Sequence, residues 1–192
     1  MTKILEIRWH GRGGQGAKTA ANLLAEAASA VGRYIQAFPE YGPERRGAPV
    51  TSFTRISPKP IRIRSAVTNP DVVVVLDPTL MVATDLTEGL VDDGVIVVNT
   101  ERSPGKVRDQ LDTKHFKIFT VNADRISTEA IGRRIPNTPM LGAVIRATDM
   151  LEYEPFIEQM EDELNKKFSG RPEIVSGNLE AIKRAYKEVQ AE

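Results

Sequence analysis

The sequence predicts an α/β fold: a Rossmann-like open sheet, mostly parallel, with helices on both faces and an added β-hairpin. Strand-like and helix-like segments alternate along the chain, which is the order of a doubly wound sheet. Two segments, DVVVVL at 71–76 and GVIVVN at 94–99, are short unbroken apolar runs, as expected of parallel strands that helices cover on both sides. A glycine-rich turn between the first strand and the first helix completes a βα opening.

In the first half of the chain, the elements are predicted from the spacing of apolar residues and from the residues that end each run. Apolar residues at three- and four-residue intervals indicate a helix, and short apolar or alternating runs indicate strands. Gly32 is placed to end the first helix, and Pro39 to end the second strand. These signals predict strands at 4–9, 34–38 and 71–76, a helix from Ala17 to about Gly32, and a hairpin with arms at 50–56 and 61–64.

Helices dominate the second half of the prediction. A crossover helix at 79–91 is expected, because two parallel strands need a connection that returns over the sheet. In the segment PNTPMLGA, at 136–143, Thr138 is placed as the N-cap of a helix and Pro139 as its first residue. The other predicted elements are strands at 94–99 and 116–121 and helices at 123–135, 156–168 and 172–189.

The length and composition are those of an ordinary globular domain. With 192 residues, the chain suits a single domain, 1–192, whose C-terminal helices at about 152–190 pack on the sheet. Lys plus Arg and Asp plus Glu number 26 each, so no net charge favours nucleic acid or an anionic membrane. The first apolar stretch is too short for a signal peptide and no segment reaches membrane-spanning length, so a cytoplasmic location is expected.

The absence of cysteine limits the function more than any other feature. Without cysteine, the chain forms no disulfide, has no thiol nucleophile, and supplies no thiolate to zinc or to an iron–sulfur cluster. His10 and His115 are the only histidines, so a histidine-rich metal site is not expected. We therefore assign neither a metal site nor a catalytic residue to this chain.

The glycine-rich turn has two interpretations. Gly11, Gly13 and Gly16 form G-x-G-x-x-G, and such glycines let backbone amides approach a phosphate at the positively polarised start of a helix. The turn is then a site for a phosphate-bearing ligand. Alternatively, the glycines only permit a tight turn and close packing of the helix, whose apolar residues are mostly alanine, against the strand.

Two nucleotide-binding families fit the residues around the turn less well. An NAD(P) dehydrogenase has an acidic residue at the end of its second strand, whereas this chain has QAF at 36–38, and Glu40 lies beyond Pro39. A P-loop hydrolase requires G-x-x-x-x-G-K-[ST], and Lys18 is displaced from that pattern by one residue. One residue turns a helical side chain by about 100°, so Lys18 would point away from the phosphates.

Three segments together resemble one enzyme family. They are IRWHGRGGQGAKTAANLLAEAA, AFPEYGPERRGAPVTSFTRIS and IPNTPMLGA, and the resemblance covers the chain from Ile4 to about Ile145. In this order they resemble the gamma subunit, or gamma domain, of the pyruvate and 2-oxoisovalerate:ferredoxin oxidoreductases. The GRGGQG turn joined to the YGPERRGAP loop is more specific than either motif alone, and both are most similar to the pyruvate branch.

The resemblance implies a multi-subunit enzyme that decarboxylates a 2-oxoacid on thiamine diphosphate, passes electrons through iron–sulfur clusters to ferredoxin, and releases an acyl-CoA. The chain has neither cysteines nor the GDG motif with paired asparagines that is typical of thiamine sites. Thiamine diphosphate, Mg²⁺ and the clusters are therefore expected on partner subunits. The implied partners are the alpha, beta and delta subunits and, through the complex, ferredoxin. The isolated chain is expected to be inactive.

The resemblance also implies that the gamma subunit helps to bind coenzyme A (CoA). Backbone amides would act as fixed donors to its phosphates, and Arg12 would pair with phosphate oxygens in a bidentate manner. His10, just before the turn, is expected to be a structural hydrogen-bonding residue rather than a catalytic one. The candidate CoA-binding residues are Gly11, Arg12, Gly13, Gly14, Gln15, Gly16 and Lys18.

The loop PEYGPERRGAP is a second candidate site. By the family pattern, Tyr41, Glu44, Arg45 and Arg46 would contact partner subunits. Tyr and Arg are enriched at protein interfaces, and the flanking prolines restrict the backbone. The alternative is a solvated charged loop. For the whole chain, the alternatives are a stand-alone Rossmann-type dinucleotide-binding dehydrogenase, which would bind NADH by itself, and a purely structural scaffold.

Overall fold

The computed structural model describes residues 3–40 and 47–192. The predicted interface residues Tyr41, Glu44, Arg45 and Arg46 lie outside these ranges, so their role stays a prediction.

One open, seven-stranded sheet forms the centre of the fold. The strands are β1 (Leu5–Arg12), β2 (Tyr34–Pro39), β3 (Pro49–Ser57), β4 (Val72–Val75), β5 (Val95–Asn99), β6 (Lys117–Val121) and β7 (Gln190–Ala191). They lie in the order β2-β3-β1-β4-β5-β6-β7. The central strands β1, β4, β5 and β6 are parallel, whereas β2, β3 and β7 join the sheet through antiparallel pairs.

Helices cover both faces of this sheet. They are α1 (Ala17–Ala30), α2 (Leu80–Ala83), α3 (Pro104–Leu111), α4 (Ala123–Ile131), α5 (Asn137–Thr148), α6 (Tyr153–Lys167) and α7 (Pro172–Glu188). The larger core contains residues of α1, α4, α5, α6 and α7, and the smaller core on the other face contains residues of α3 and the loop after α2. The predicted α/β class is therefore confirmed.

Strand β4 shows why the central strands are apolar throughout. Val72 and Val74 belong to the larger core, and Val73 and Val75 to the smaller one. All four valines are at most 2% exposed. Successive side chains of a strand point to opposite faces, so an unbroken apolar run is what a doubly covered strand requires.

The predicted hairpin at 50–64 is wrong in its second arm. The first arm forms β3, but residues 61–64 form no strand. Both edges of β3 are occupied, by β1 on one side and by β2 on the other, so no edge remains for a further strand. Residues 61–64 are coil, and Gln36 Nε2 in β2 donates a hydrogen bond to Ile63 O over 2.9 Å. The antiparallel addition to the sheet is therefore the β2–β3 pair.

The predicted crossover helix at 79–91 is much shorter, since α2 has only four residues. A turn follows it, in which the Oδ1 atom of Asp85 accepts hydrogen bonds from the N and Oγ1 atoms of Thr87, at 2.9 and 2.7 Å. Leu86 and Leu90 in this connection are nevertheless buried. The spacing of apolar residues that predicted a helix at 79–91 therefore arises from a buried loop.

Two further helix predictions need correction. The helix predicted at 123–135 ends at Ile131, because Gly132 adopts a left-handed conformation with φ 72°. Thr138 is not an N-cap, since α5 already begins at the preceding residue. Its Oγ1 atom instead donates a hydrogen bond to Asn178 Oδ1 in α7 over 2.8 Å, and this bond ties two buried helices together. Helix α3 and strand β7 were not predicted.

Helix α5 lies at the centre of the helical layer. Residues 137–145 are all buried, and α7 packs along this helix. The packing is close because Gly142 has no side chain: a Cβ atom there would lie 2.1 Å from the Ile182 carbonyl oxygen. Within the described ranges, no helix combines the length and the apolar character needed to cross a bilayer.

Candidate functional site

The glycine-rich turn lies at the carboxyl end of β1, next to β4 in the sheet. Open parallel sheets bind ligands outside the carboxyl ends of their strands, most often where the strand order reverses. The chain passes from Arg12 to Ala17 through Gly14 and Gly16, whose φ angles are 99° and 82°. This left-handed region is costly for residues with a Cβ, so the backbone requires glycine here whether or not a ligand binds.

The turn is supported by the segment just before β3. Gly13 N donates to Ala48 O over 2.9 Å, and Gly47 N donates to Gly13 O over 3.2 Å. The two residues that follow the undescribed segment are thus hydrogen-bonded to the turn. The turn is therefore attached to the segment that leads into β3.

A polar network fixes the turn to the end of β4. Gln15 accepts a hydrogen bond from Arg12 N at its Oε1 atom, and its Nε2 atom donates to Asp77 Oδ2, both over 2.7 Å. The Arg12 guanidinium donates to Thr79 Oγ1 from Nη2 at 2.9 Å and to Gly47 O from Nη1 at 3.2 Å. Its Nε atom lies 3.3 Å from Asp77 Oδ2. Residues distant in sequence are thus held in one cluster.

Asp77 is the negative centre of this network. Partial burial is the largest single influence and would raise the pKa of its carboxyl group. Hydrogen bonds from Thr79 and Gln15 and the charge of Arg12 act in the opposite direction, and together they hold the pKa of Asp77 below its ordinary value. Asp77 is therefore ionised at neutral pH and is a stable partner for Arg12.

The position of Arg12 bears on its predicted role. Three of its five N–H groups, on Nε, Nη1 and Nη2, already have acceptors within the chain. The guanidinium is therefore held in place, and the remaining N–H groups are what it offers to a ligand. Its side chain is 32% exposed. The contacts of Arg12 within the chain therefore stabilise the turn, and its predicted pairing with a phosphate stays a prediction.

The backbone amides at the start of α1 have the features of an anion site. Helix α1 begins without a side-chain cap and without an acidic residue in its first turn. Within the described ranges, the amides of Ala17, Lys18 and Thr19 have no acceptor. Free amides and the helix dipole together favour a negative group at this position. The Lys18 side chain is exposed and carries its charge beside them.

Helix α5 also packs on the turn. A Cβ atom on Gly16 would lie 2.6 Å from Asn137 Nδ2, so the amide group of Asn137 packs directly on the glycine. Asn137 is the first residue of α5 and is 8% exposed. Gly16 therefore has a second role, since its lack of a side chain allows the N-termini of two helices to approach one another.

His10 lies just before the turn but is buried. It is 7% exposed, and in the part of the chain that the structure describes its Nε2 atom has no hydrogen-bond partner. Burial, and after it the charge of Arg8, lowers the pKa of His10 to about 4. Arg8 in turn donates from Nη2 to the carbonyl groups of Leu86 and Glu88, at 3.1 and 2.8 Å. His10 is thus a neutral, buried residue at physiological pH.

Asp77, Thr79 and Asn137 were not recognised as site residues from the sequence. Asp77 directly follows the apolar run DVVVVL. Its position at the end of a predicted strand was the one sequence feature that could have indicated a site residue. Asp77 contacts Gln15 because β1 and β4 are neighbours in the sheet. The local sequence pattern does not predict this strand order. Asn137 was interpreted as part of a helix start, in the segment NTPMLGA that the family resemblance places near the ligand-facing edge of the sheet or at a subunit contact, and no contact with the turn was assigned to it.

The strand order argues against the dinucleotide-binding alternative. In that fold, the second strand lies beside the first, so that its terminal acidic residue reaches the ribose. Here β3 separates β1 from β2, which places the end of β2 about 10 Å from β1. Within residues 3–40 and 47–192, no three metal-ligating side chains of the His, Cys, Asp or Glu type lie together.

Comparison with known families gives a match over nearly the whole chain. A family model described as pyruvate ferredoxin/flavodoxin oxidoreductase matches residues 6–188. The pyruvate/ketoisovalerate oxidoreductases common subunit gamma of Pyrococcus furiosus is 50% identical over 187 residues, which are 97% of this chain and 98% of that relative. The pyruvate synthase subunit PorC of Thermotoga maritima is 49% identical over 188 residues, 98% of this chain and 96% of the relative.

Solved structures show the same fold. The pyruvate oxidoreductase subunit PORC of Thermotoga maritima superposes with a TM-score of 0.86 at 45% identity, covering 100% of this chain and 99% of that one. The 2-oxoglutarate:ferredoxin oxidoreductase of Magnetococcus marinus has a TM-score of 0.76 at 19% identity, covering 97% of this chain and 31% of that longer one. The second likeness concerns the fold alone.

Proposed function

This chain belongs to the pyruvate ferredoxin/flavodoxin oxidoreductase family and is a gamma subunit of a 2-oxoacid:ferredoxin oxidoreductase, and we propose that it binds a phosphate group of CoA at the start of α1. The observation that carries this proposal is the row of amides at Ala17, Lys18 and Thr19, which follows the glycine turn and has no acceptor within residues 3–40 and 47–192. Partner subunits would carry out the redox chemistry.

The proposed reaction converts pyruvate, CoA and oxidised ferredoxin to acetyl-CoA, CO₂ and reduced ferredoxin. The bond between the carboxylate and the carbonyl carbon breaks to release CO₂, and the acyl carbon loses two electrons, which reduce two one-electron ferredoxin centres. The sulfur of CoA forms the thioester bond, and the proton of its thiol is released. Relatives named pyruvate synthase subunit support pyruvate as the substrate. Ketoisovalerate is the second candidate, because the relative from Pyrococcus furiosus is named for both oxidoreductases.

The composition supports placing the other cofactors on partner subunits. Iron–sulfur clusters need thiolate ligands, and this chain has no cysteine. Thiamine diphosphate, Mg²⁺ and the clusters would then belong to the alpha, beta and delta subunits, and ferredoxin would dock on the complex. The gamma subunit would contribute the binding and orientation of CoA, and it would be inactive on its own.

The chemistry of the turn supports CoA as the ligand. CoA carries several phosphate groups, and backbone amides at a helix start bind phosphate without needing a side-chain base or metal. The oxidoreductase of Magnetococcus marinus, which has the same fold over part of its length, was solved with CoA and succinyl-CoA bound. The network of Arg12, Gln15 and Asp77 would keep the amides in position while CoA binds and leaves.

Hydrogen exchange on the assembled enzyme tests the proposal. CoA at saturating concentration should slow amide exchange in the segment 13–20, because bound phosphate oxygens accept hydrogen bonds from amides that are free without CoA. Replacement of the exposed Lys18 by Gln should raise the KM for CoA about three- to tenfold and leave the KM for pyruvate unchanged.

Lys114→Gln is the matched control for this experiment. Lys114 is also an exposed lysine, but it lies in the connection between α3 and β6, away from the turn. The variant should behave as the parent enzyme. Unchanged exchange in segment 13–20 with CoA present, together with an unchanged KM for CoA in Lys18→Gln, would show that CoA binds elsewhere in the complex.

A further inference from the structure

Strand β2 lies at one edge of the sheet, where it pairs with β3 on one side. Glu40, which directly follows β2, donates from its N atom to Thr51 O over 2.9 Å. Backbone groups alternate in direction along a strand, so the even-numbered residues of β2 bond to β3, whereas Ile35 and Ala37 face outward. Within the described ranges, the N–H and carbonyl groups of these two residues have no backbone partner. The outer edge of β2 is therefore open to a further strand.

The residues of β2 do not protect this edge. Sheet edges usually avoid pairing with other chains by means of charged side chains or an internal proline, but β2 has the sequence YIQAFP, with its proline at the last position. Three of the four large apolar residues that are exposed in the described ranges lie beside it: Val31 at 43%, Tyr34 at 49% and Ile63 at 43%. Apolar side chains grouped around an open edge indicate a surface that another protein covers.

The coil at 59–66 makes this surface basic. Gln36 Nε2 in β2 donates to Ile63 O, so the coil is fixed beside the strand. The exposed cations of the coil are Lys59, Arg62 and Arg64. In the part of the chain that the structure describes, none of them lies within 4.0 Å of a carboxylate. The segments 27–39 and 47–70 contain neither aspartate nor glutamate. Cations that are not neutralised in this way favour an acidic partner.

A partner subunit fits this edge better than a second copy of the chain does. Pairing of two copies along β2 would bring their basic coils to the same interface, where like charges repel. The chain is a gamma subunit of a multi-subunit enzyme, so other subunits are its permanent neighbours. Permanent interfaces are more apolar than transient ones, so the exposed apolar side chains suit a subunit contact rather than a brief contact with an electron carrier.

The start of β2 and the basic coil lie far from the glycine turn. Ile35 pairs with Ile56 in β3, and Ile56 pairs with Leu5 at the start of β1. The turn follows the opposite end of β1, and the 8 residues of this strand span about 23 Å. A protein segment bound here would therefore occupy a surface that is separate from the proposed CoA site.

We propose that an acidic, extended segment of a partner subunit adds to the sheet as a strand along β2. Its backbone would pair with Ile35 and Ala37, and its carboxylates would face Arg62 and Arg64. Its apolar side chains would cover the exposed apolar residues around the edge. Strand addition of this kind takes its affinity from main-chain hydrogen bonds and its specificity from alternate side chains. The contact serves assembly, so it is independent of the proposed binding of CoA.

Hydrogen exchange of the full-length chain, isolated and in the assembled enzyme, tests the pairing directly. In the isolated chain, the outward amides of Ile35 and Ala37 should exchange rapidly, whereas those of Gln36 and Phe38, which face β3, should exchange slowly. In the assembled enzyme, exchange at Ile35 and Ala37 should be slower by about tenfold or more, because the added strand accepts hydrogen bonds from these amides.

Ala37→Pro removes one of the hydrogen bonds that the added strand would make. Proline lacks an N–H group, and edge strands accept proline where that group faces outward, so the pairing of β2 with β3 is retained. The amount of partner subunits that co-purifies with the gamma subunit should fall about tenfold. Ala37→Ser, which keeps the N–H group, is the matched control and should assemble as the parent chain does. Thermal unfolding of both isolated variants measures whether the fold is retained.

Charge reversal in the coil tests the acidic character of the partner. The double variant Arg62→Glu, Arg64→Glu changes two exposed side chains, so the core stays intact. It should also lower co-purification of the partner subunits about tenfold, because like charges would then face one another. The control is Lys106→Glu, Lys114→Glu, which reverses two exposed lysines in and after α3, beside β6 and away from β2. This control should assemble as the parent chain does.

The outcomes distinguish the possible occupants of the edge. Equally fast exchange at Ile35 and Ala37 in the isolated chain and in the enzyme would show that no strand is added, and the proposal would be wrong. It would also be wrong if the isolated chain is a dimer in which these amides are protected, or if protection appears only when ferredoxin is added. If CoA leaves exchange in segment 13–20 unchanged while β2 is protected in the enzyme, the proposed function fails and the strand addition stands.

Discussion

At the scale of single residues, His10 couples the folding of the chain to pH. Its pKa falls from about 6.5 in the unfolded chain to about 4 in the folded one, because burial and then the charge of Arg8 disfavour the proton. The folded state binds fewer protons than the unfolded state between these values, so stability is full above pH 6.5 and is lost as the pH falls toward 4. The expected loss from this residue is about 3 kcal/mol.

Urea unfolding at pH 7 and at pH 4 measures this effect, and His10→Leu is the comparison. Leucine has a similar volume and no titrating group, and the Nε2 atom that it removes has no partner within the described residues. The variant should retain most of the stability at pH 7 and lose about 3 kcal/mol less than the parent chain between the two pH values. An equal loss in both proteins would mean that other groups cause the acid sensitivity.

At the scale of elements, the contact between α5 and α7 depends on a glycine. A Cβ atom at position 142 would lie 2.1 Å from the carbonyl oxygen of Ile182, which is backbone and cannot move aside without shifting α7. Gly142→Ala should therefore lower the free energy of unfolding by about 1–3 kcal/mol or more, although alanine is the better helix former.

Gly105→Ala is the matched control for this prediction. Gly105 also lies in a helix, α3, but the nearest atom to a Cβ there is a carboxylate oxygen of Glu192 at 3.3 Å, at the end of a flexible side chain. This variant should be neutral or more stable by up to about 1 kcal/mol. Thermal or urea unfolding measures the stability of Gly142→Ala and Gly105→Ala relative to the parent chain. Equal stability of the two would contradict the close approach of α5 and α7.

At the scale of the whole molecule, the chain is a part of a larger enzyme. Affinity purification from the native source should recover cysteine-rich and thiamine-binding partners, with the brownish visible absorption of iron–sulfur clusters. The purified chain alone should show neither this absorption nor oxidoreductase activity, because it has no cysteine to hold a cluster. A chain that is recovered as a lone monomer, or that binds NADH by itself, would contradict this prediction.

The predicted contact between the loop PEYGPERRGAP and partner subunits can be tested by mutation. Replacement of Arg45 and Arg46 by Glu should reduce co-purification of the partner subunits, because charge reversal at an interface places like charges opposite one another. The flanking residues Gly47 and Ala48 are hydrogen-bonded to Gly13, so an altered loop position should also affect CoA binding. Intact assembly of this variant would favour the alternative of a solvated charged loop.

The sequence by itself determined the features that depend on local pattern and composition. The valines of β4 and the apolar run of β5 predicted doubly covered strands, and the glycine turn predicted the βα opening. The lack of cysteine excluded thiolate ligands for a cluster from this chain. Three motifs in order identified the family, which the match over residues 6–188 confirms. Each of these signals lies within a short stretch of the chain, so no knowledge of the packing was needed.

Only the tertiary structure decided which strand edges pair and which distant side chains meet. Apolar spacing records whether a residue is buried, but it does not distinguish the buried loop after α2 from a helix, nor does it show that β3 lies between β1 and β2. The contacts of Gln15 with Asp77 and of Gly16 with Asn137 join segments about 60 and 120 residues apart. Such contacts follow from strand order and helix packing, which are set by the free energy of the whole fold rather than by any local segment.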